Sequence, residues 1–270
     1  MTLPKTMRAM VTMGHGDLDQ MALHEDWPRP DPAPDEVLIR VGACGLNNTD
    51  VNTRSGWYSK TVTDATTGGA FEVVGKDDPT WGGAPITFPR IQGADVCGEI
   101  VAVGENVDPS RVGERVITDG WLRDANDPDD MNKTGYFGSE RDGGFAEFTT
   151  TPSGNALAVQ SDLSDSELAT FSCSYSTAEG MLTRAQVTAN DTVLVPGASG
   201  GVGGALVQLA KRRGARVIAI ASEAKHEDVA RLGPDVILPR APDNLRAALG
   251  GEKITVVAVG AALLVGARRG

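Results

Sequence analysis

The sequence predicts a β-rich first unit followed by an α/β second unit built on a parallel sheet. Three observations carry this. Short apolar and β-branched runs bounded by Gly, Pro and Asp fill the first half, as separate strands do. Beyond about Asp162 strands and helices alternate, the mark of βαβ units. The apolar run Thr192–Pro196 then leads directly into a glycine-rich turn and an apolar helix. The chain has 270 residues, 40% hydrophobic and 23% charged, enough for two ordinary domains with real cores.

In the first unit, strands are expected at Met7–Met13, Glu36–Val41, Glu99–Val103 within a strand Val96–Gly104, Gly113–Val116 and Phe145–Thr151. Ser59–Pro89 and Asn126–Lys133 read as loops, being rich in Thr, Gly and Asp. Ser164 followed by Glu167 is a capping box that opens a helix. A second helix is expected around Thr177–Ala185. Then follow strand Thr192–Pro196, helix Gly201–Arg213, strand Arg216–Ala221, helix Lys225–Leu232, strand Asp235–Leu238, a short helix near Asn244–Leu249 and strand Ile254–Val259. The boundary is placed near 155–163, giving domains 1–158 and 159–270.

A net charge of −11 argues against nucleic acid, whose phosphates need a basic face, and against anionic membranes. Cys44, Cys97 and Cys173 are widely spaced and form no disulfide framework. The first residues hold no apolar stretch of signal-peptide type, so a cytoplasmic location is expected. A small-molecule substrate is the partner that remains.

The turn Gly197-Ala198-Ser199-Gly200-Gly201-Val202-Gly203 between strand and helix fits dinucleotide binding. Small residues admit a pyrophosphate to the backbone, and the helix N-terminus offers it free N–H groups and the positive dipole end. The pattern reads Ala198-x-Gly200-x-x-Gly203, with alanine at the first glycine position; Gly200 and Gly203 are both expected to be backbone-critical. At the end of the next strand, Ala221 occupies the place where NAD-binding chains carry an acid. Ser222 and Lys225 can donate to a 2′-phosphate, which favours NADP(H). Glu223, one register further, is the feature that speaks for NAD.

With these motifs, the chain resembles the medium-chain dehydrogenase/reductase superfamily. Val37–Asp50, Gly93-Ala94-Asp95-Val96-Cys97-Gly98, Gly143–Phe148 and Cys173–Ala178 match its signatures in order, over about residues 7 to 259. The resemblance implies a GroES-like β domain followed by a Rossmann domain, with Thr177 added to the cofactor-binding set Ala198, Ser199, Gly200, Gly201, Val202, Gly203, Ser222 and Lys225. Zinc-dependent members use Cys, His and Cys, with a nearby Glu; here those positions hold Asn47, Ala94, Cys173 and Asp95, so no metal is expected. Asn47 and Arg54–Tyr58 resemble instead the zinc-free quinone-oxidoreductase branch. That branch implies hydride transfer from NADPH to a quinone or α,β-unsaturated carbonyl. Asn47, Thr49 and Tyr58 are the candidate catalytic residues: Tyr58 and Asn47 for oxyanion stabilisation, Thr49 as proton shuttle. Their plainer readings are a turn residue for Asn47, a cap for Thr49 and a loop aromatic for Tyr58.

Superfamily members usually continue for several tens of residues past this C-terminus, so the Rossmann domain is expected to be incomplete. Strand Ile254–Val259 is then an edge, and the apolar run Ala261–Val265 lacks a sheet to cover, which predicts homo-oligomers. Two functional classes stay open: an active NADPH-dependent reductase, and an inactive or partner-dependent nucleotide-binding remnant.

Overall fold

The structure, a computed structural model, describes residues 3–58, 85–124, 126–130, 133–240 and 244–259. The expected loop at 59–84 and the run 261–265, with the oligomer argument built on it, lie outside the described residues.

The chain divides into two compact units, up to Ser172 and from Cys173. In the first, β1 (Thr6–Thr12), β2 (Met21–Pro28), β3 (Glu36–Gly45), α1 (Asn48–Arg54), β4 (Arg90–Ile91), β5 (Asp95–Val103), β6 (Arg115–Thr118), β7 (Trp121–Leu122), β8 (Gly135–Tyr136), β9 (Phe148–Pro152), β10 (Ala156–Ala158) and α2 (Asp165–Leu168) follow one another. An antiparallel sheet runs β10-β6-β5-β3-β9, a second runs β2-β1-β4, and β7 pairs with β8. Val37, Ile39, Val96, Ile100, Val116 and Phe137 form one core. Met7, Val11, Leu38, Ile91 and Phe148 form another. Val37 and Ile39 lie in one cluster and Leu38 in the other because successive strand residues face opposite ways, so β3 is covered on both faces. Each fully buried aliphatic side chain contributes about 1.5–3 kcal/mol.

The second unit contains α3 (Ser172–Arg184), β11 (Thr192–Pro196), α4 (Gly201–Arg212), β12 (Arg216–Ala221), α5 (His226–Ala230), β13 (Val236–Pro239), α6 (Leu245–Ala248) and β14 (Val256–Val257). Its sheet is parallel, in the order β13-β12-β11-β14. This is the strand order 3-2-1-4 of a doubly wound fold, in which ligands meet the carboxyl ends of the strands. Val193, Val195, Leu206, Val217 and Val229 pack between sheet and helices. Among the described residues, no helix is long and apolar enough to cross a membrane.

The division between units falls later in the chain than the 158/159 boundary read from the sequence. The reason is α2. Its capping box forms as expected, with Glu167 N donating to Ser164 Oγ (3.3 Å) and Ser164 N to Glu167 Oε2 (2.8 Å). Yet Leu168 and Ala169 then bury themselves against Cys97, within the first unit. Asp165 binds Arg115 from β6 through Nε (2.7 Å). The element begins the helical half of the sequence but packs with the β-rich half.

Candidate functional site

In the first unit the site is built on α1 and its entry. β3 delivers the chain to Asn47, which takes extended backbone angles and caps the helix. Thr49 N donates to Asn47 Oδ1 (3.3 Å), and Asn47 N donates to Asp50 Oδ2 (2.9 Å). The other arm of the Asn47 amide is held as well, since Nδ2 donates to Asp95 Oδ2 (3.4 Å). A backbone N–H on one side and a carboxylate on the other leave the amide one orientation. Tyr58 follows α1 by one turn. Its Oη donates to Thr49 Oγ1 (3.1 Å) and accepts from Asn52 Nδ2 (3.4 Å). The three expected residues Asn47, Thr49 and Tyr58 are thus one hydrogen-bonded group, with Asn52 as a member that the sequence reading missed.

Asp50 is the electrostatic centre beneath this group. It is nine-tenths buried and accepts from Asn47 N and from Gly93 N (3.2 Å). Burial pushes its carboxyl up to about 7, and the neighbouring Asp95 charge adds to the rise. Gln92 ties the same turn down: its Nε2 donates to the Asp50 carbonyl oxygen (2.9 Å), and its Oε1 accepts from Thr12 Oγ1 (2.9 Å). Burial likewise raises the Cys44 thiol, so that side chain stays a neutral packing group. Among the described residues, no three His, Cys, Asp or Glu side chains converge as metal ligands would.

In the second unit the site lies where β11 meets α4. Gly197 takes the left-handed turn (φ +68°), a conformation glycine adopts without strain. The turn therefore falls on Gly197 and not on Ala198, where the sequence reading placed the first glycine of the fingerprint. Ala198 is fully buried and its N–H is used by Ile220 O (3.0 Å), so it ties the turn to β12. Gly203 is needed for packing, because a Cβ there would land on the backbone of Gly197 and Ala198. At Gly200 φ is −86° and a Cβ would meet nothing nearer than Gly197 O at 3.5 Å. Packing within the protein does not require glycine at 200, where a Cβ would make one ordinary van der Waals contact.

Gly200 is the N-cap of α4 and supplies no side-chain bond, so the first-turn amides of Gly201, Val202 and Gly203 have no side-chain cap. Ser199, Gly200 and Gly201 are exposed. An uncapped helix start with an open glycine cradle fits a pyrophosphate. At the carboxyl end of the adjacent strand, β12 stops at the buried Ala221. Ser222 begins a 3₁₀ turn, and its hydroxyl makes no cap bond. Lys225 is exposed and donates to Asp228 Oδ2 (3.2 Å), while Glu223 is exposed beside it. Thr177 lies half-buried on α3. The residues fit a dinucleotide: a backbone cradle for the pyrophosphate, and small or basic side chains at the strand end where the adenosine ribose belongs.

Known proteins agree with this architecture. The alcohol dehydrogenase GroES-like domain family matches residues 33–161. A crystal structure of a protein described as an alcohol dehydrogenase, from Sinorhizobium meliloti 1021, superposes with a TM-score of 0.81 at 45% identity, over 94% of this chain and 69% of that one. The NADPH-dependent alkenal/one oxidoreductase of Arabidopsis thaliana is 27% identical, over 90% of this chain and 55% of its own length. Human quinone oxidoreductase is 28% identical, over 83% of this chain and 56% of its own length. The chain thus spans little more than half the length of these two relatives. With a GroES-like domain, a parallel sheet carrying the glycine turn, and relatives of one lineage along nearly its whole length, the chain belongs to the medium-chain dehydrogenase/reductase superfamily.

Proposed function

We propose that this protein is an NADP(H)-dependent oxidoreductase of the zinc-independent, quinone-oxidoreductase type, acting on a quinone or an α,β-unsaturated carbonyl. The observation that carries the reading is the bare start of α4 over an open glycine cradle, next to a strand end with no acid at Ala221 or Ser222. Ser222 and Lys225 favour the 2′-phosphate of NADP(H), since both can donate to it. The names of the plant alkenal/one and human quinone relatives support the substrate class.

Bound NADPH supplies the hydride. The chain's own residues bind, orient and manage protons. The first-turn amides of α4 hold the pyrophosphate. Asn47 has one N–H committed to Asp95 and its second available to an acceptor oxygen, in an orientation fixed by the Thr49 and Asp95 contacts. Tyr58 Oη and Thr49 Oγ1 are in direct hydrogen-bond contact, which gives a two-hydroxyl route for a proton. The role of Asn47 needs no metal, because its amide nitrogen is a donor.

The test is NADPH oxidation followed at 340 nm with a simple benzoquinone and with an alkenal, beside direct NADPH and NADH titrations and metal analysis of the purified protein. Turnover with tighter NADPH than NADH binding is expected. Stoichiometric binding without turnover identifies a nucleotide-binding remnant. Tighter NADH binding overturns the cofactor assignment, and about one zinc per chain overturns the metal-free reading.

A further inference from the structure

We propose that Ser174 is an additional cofactor-binding residue, its hydroxyl joining the amides at the start of α4 in hydrogen-bonding the pyrophosphate of the bound dinucleotide. The proposal rests on the dinucleotide reading above and deepens it. Ser174 lies in the first turn of α3 and is 7% exposed. A helical serine can return its hydroxyl to a backbone carbonyl three or four residues earlier. Ser176 on the same helix does so, donating to Cys173 O (3.3 Å). No hydrogen bond among the described residues engages Ser174 Oγ. The residue is buried but its oxygen keeps some contact with solvent, so a ligand can reach a donor for which the described residues supply no acceptor.

Its position points to the ligand. Ser174 Oγ lies 2.6 Å from the point where a Cβ on Gly201 would stand. Gly201 is the first residue of α4 and is exposed, so the Ser174 hydroxyl borders the cradle. Two features of different origin therefore meet at one spot: backbone amides without a cap, and a side-chain donor without an acceptor. Both lack the same thing, an anionic oxygen. A serine O–H to a phosphate oxygen is a charge-assisted bond, about twice as strong as a neutral one. The same closeness accounts for glycine at 201, since a methyl there would displace the hydroxyl from the cradle.

The experiment is calorimetric titration of the wild type and of Ser174→Ala with NADPH, ADP-ribose and 2′-AMP, the last lacking a pyrophosphate. Ser174→Ala is expected to weaken NADPH and ADP-ribose by about tenfold, leave 2′-AMP unchanged and keep the melting temperature. Unchanged NADPH affinity in the variant, with a wild type that binds, overturns the role of Ser174 alone. An equal loss for 2′-AMP overturns it too, showing that the hydroxyl acts through the fold. A wild type that binds neither NADPH nor NADH removes the dinucleotide reading and this proposal together.

Discussion

Two helices of this chain begin in opposite ways. α1 starts under a complete capping box: Asn47 and Asp50 satisfy each other's backbone N–H groups, and Asp95 holds the remaining arm of the asparagine. α4 starts at a glycine that offers no side chain at all. Both helices carry the same positive dipole end and the same unpaired first-turn amides. In α1 the protein consumes that capacity internally, and the result is a fixed scaffold on which Asn47, Thr49 and Tyr58 are arranged. In α4 no side chain takes up that capacity, which is what the proposed pyrophosphate site requires. A ligand-binding helix start is thus distinguished less by its glycines than by the cap it lacks.

The sharpest way to break the contrast is to give α4 the cap of α1. Gly200→Asp fits the observed φ of −86°, and its Cβ would meet only Gly197 O at 3.5 Å. It should leave the fold intact, or stabilise it by a few tenths of a kcal/mol. Its carboxylate would occupy the amides and repel phosphate, so NADPH affinity should fall by about 100-fold, near 2.7 kcal/mol. Titration beside thermal melting checks both halves; retained NADPH binding in the folded variant refutes the ligand role of this helix start. Gly203→Val drives helix and turn apart and should abolish NADPH binding as well, but together with a stability loss of about 1–3 kcal/mol or more. A folded, unaltered Gly203→Val protein contradicts the packing argument.

A smaller effect tests the corner between the helices. Gly201→Ala puts a methyl 2.6 Å from Ser174 Oγ but 3.6 Å from Ser174 Cβ. The single variant should lose about 1 kcal/mol, and Ser174→Ala/Gly201→Ala should recover most of it. Additive losses in denaturant melts would show that the two residues do not touch.

On the α1 side the test is pH. The Asp50 carboxyl, held up by burial and by Asp95, titrates near 7, against about 3.9 in an unfolded chain. Between those values the native state keeps a proton that the unfolded state has lost. The contribution of Asp50 to stability is therefore largest below about pH 4 and falls as pH rises toward 7. Asp50→Asn has no such proton, so its stability relative to wild type should be higher at pH 8 than at pH 5. Parallel urea midpoints that do not converge or cross with pH would show that Asp50 is not a titrating group. The smallest effect is expected at Lys225, whose exposed ammonium already faces Asp228. Lys225→Ala should weaken NADPH by about 0.5–1 kcal/mol and spare NADH. Equal losses for both cofactors would remove Lys225 from 2′-phosphate recognition.

The second unit was the more legible half of the sequence, for a physical reason. Strand 192–196, strand 216–221 and the start of α4 at Gly201 are set by local signals, namely buried apolar runs cut off by glycine, and they fall where the pattern puts them. The Ser164–Glu167 cap is local in the same way. β4, β7 and β8 have two residues each and exist through pairing with distant partners, so no window of sequence announces them. The packing of α2 against Cys97 is equally non-local, so no window of sequence shows that α2 packs with the β-rich unit. At the site, Asn47 caps α1, close to its plainer reading as a turn residue, and its functional role remains the proposal made for its second amide hydrogen. Ser174 carried no signal beyond its place in a family motif, because its meaning depends on Gly201 across the turn.

The double commitment of Asn47 also limits how this site can evolve. Replacing it by cysteine, the residue that zinc-dependent relatives hold at this position, would remove the amide that accepts from Thr49 N and donates to Asp95, at about 1 kcal/mol for the lost cap. It would gain nothing until the buried Ala94 also changed to a ligand. A lineage moving from this arrangement toward a metal centre must first pass through a weaker α1 with no new chemistry in return. Under the proposed metal-free reading, the capping box on α1 is therefore a barrier as well as a scaffold, and it separates this site from the metal-dependent branch by more than one mutational step.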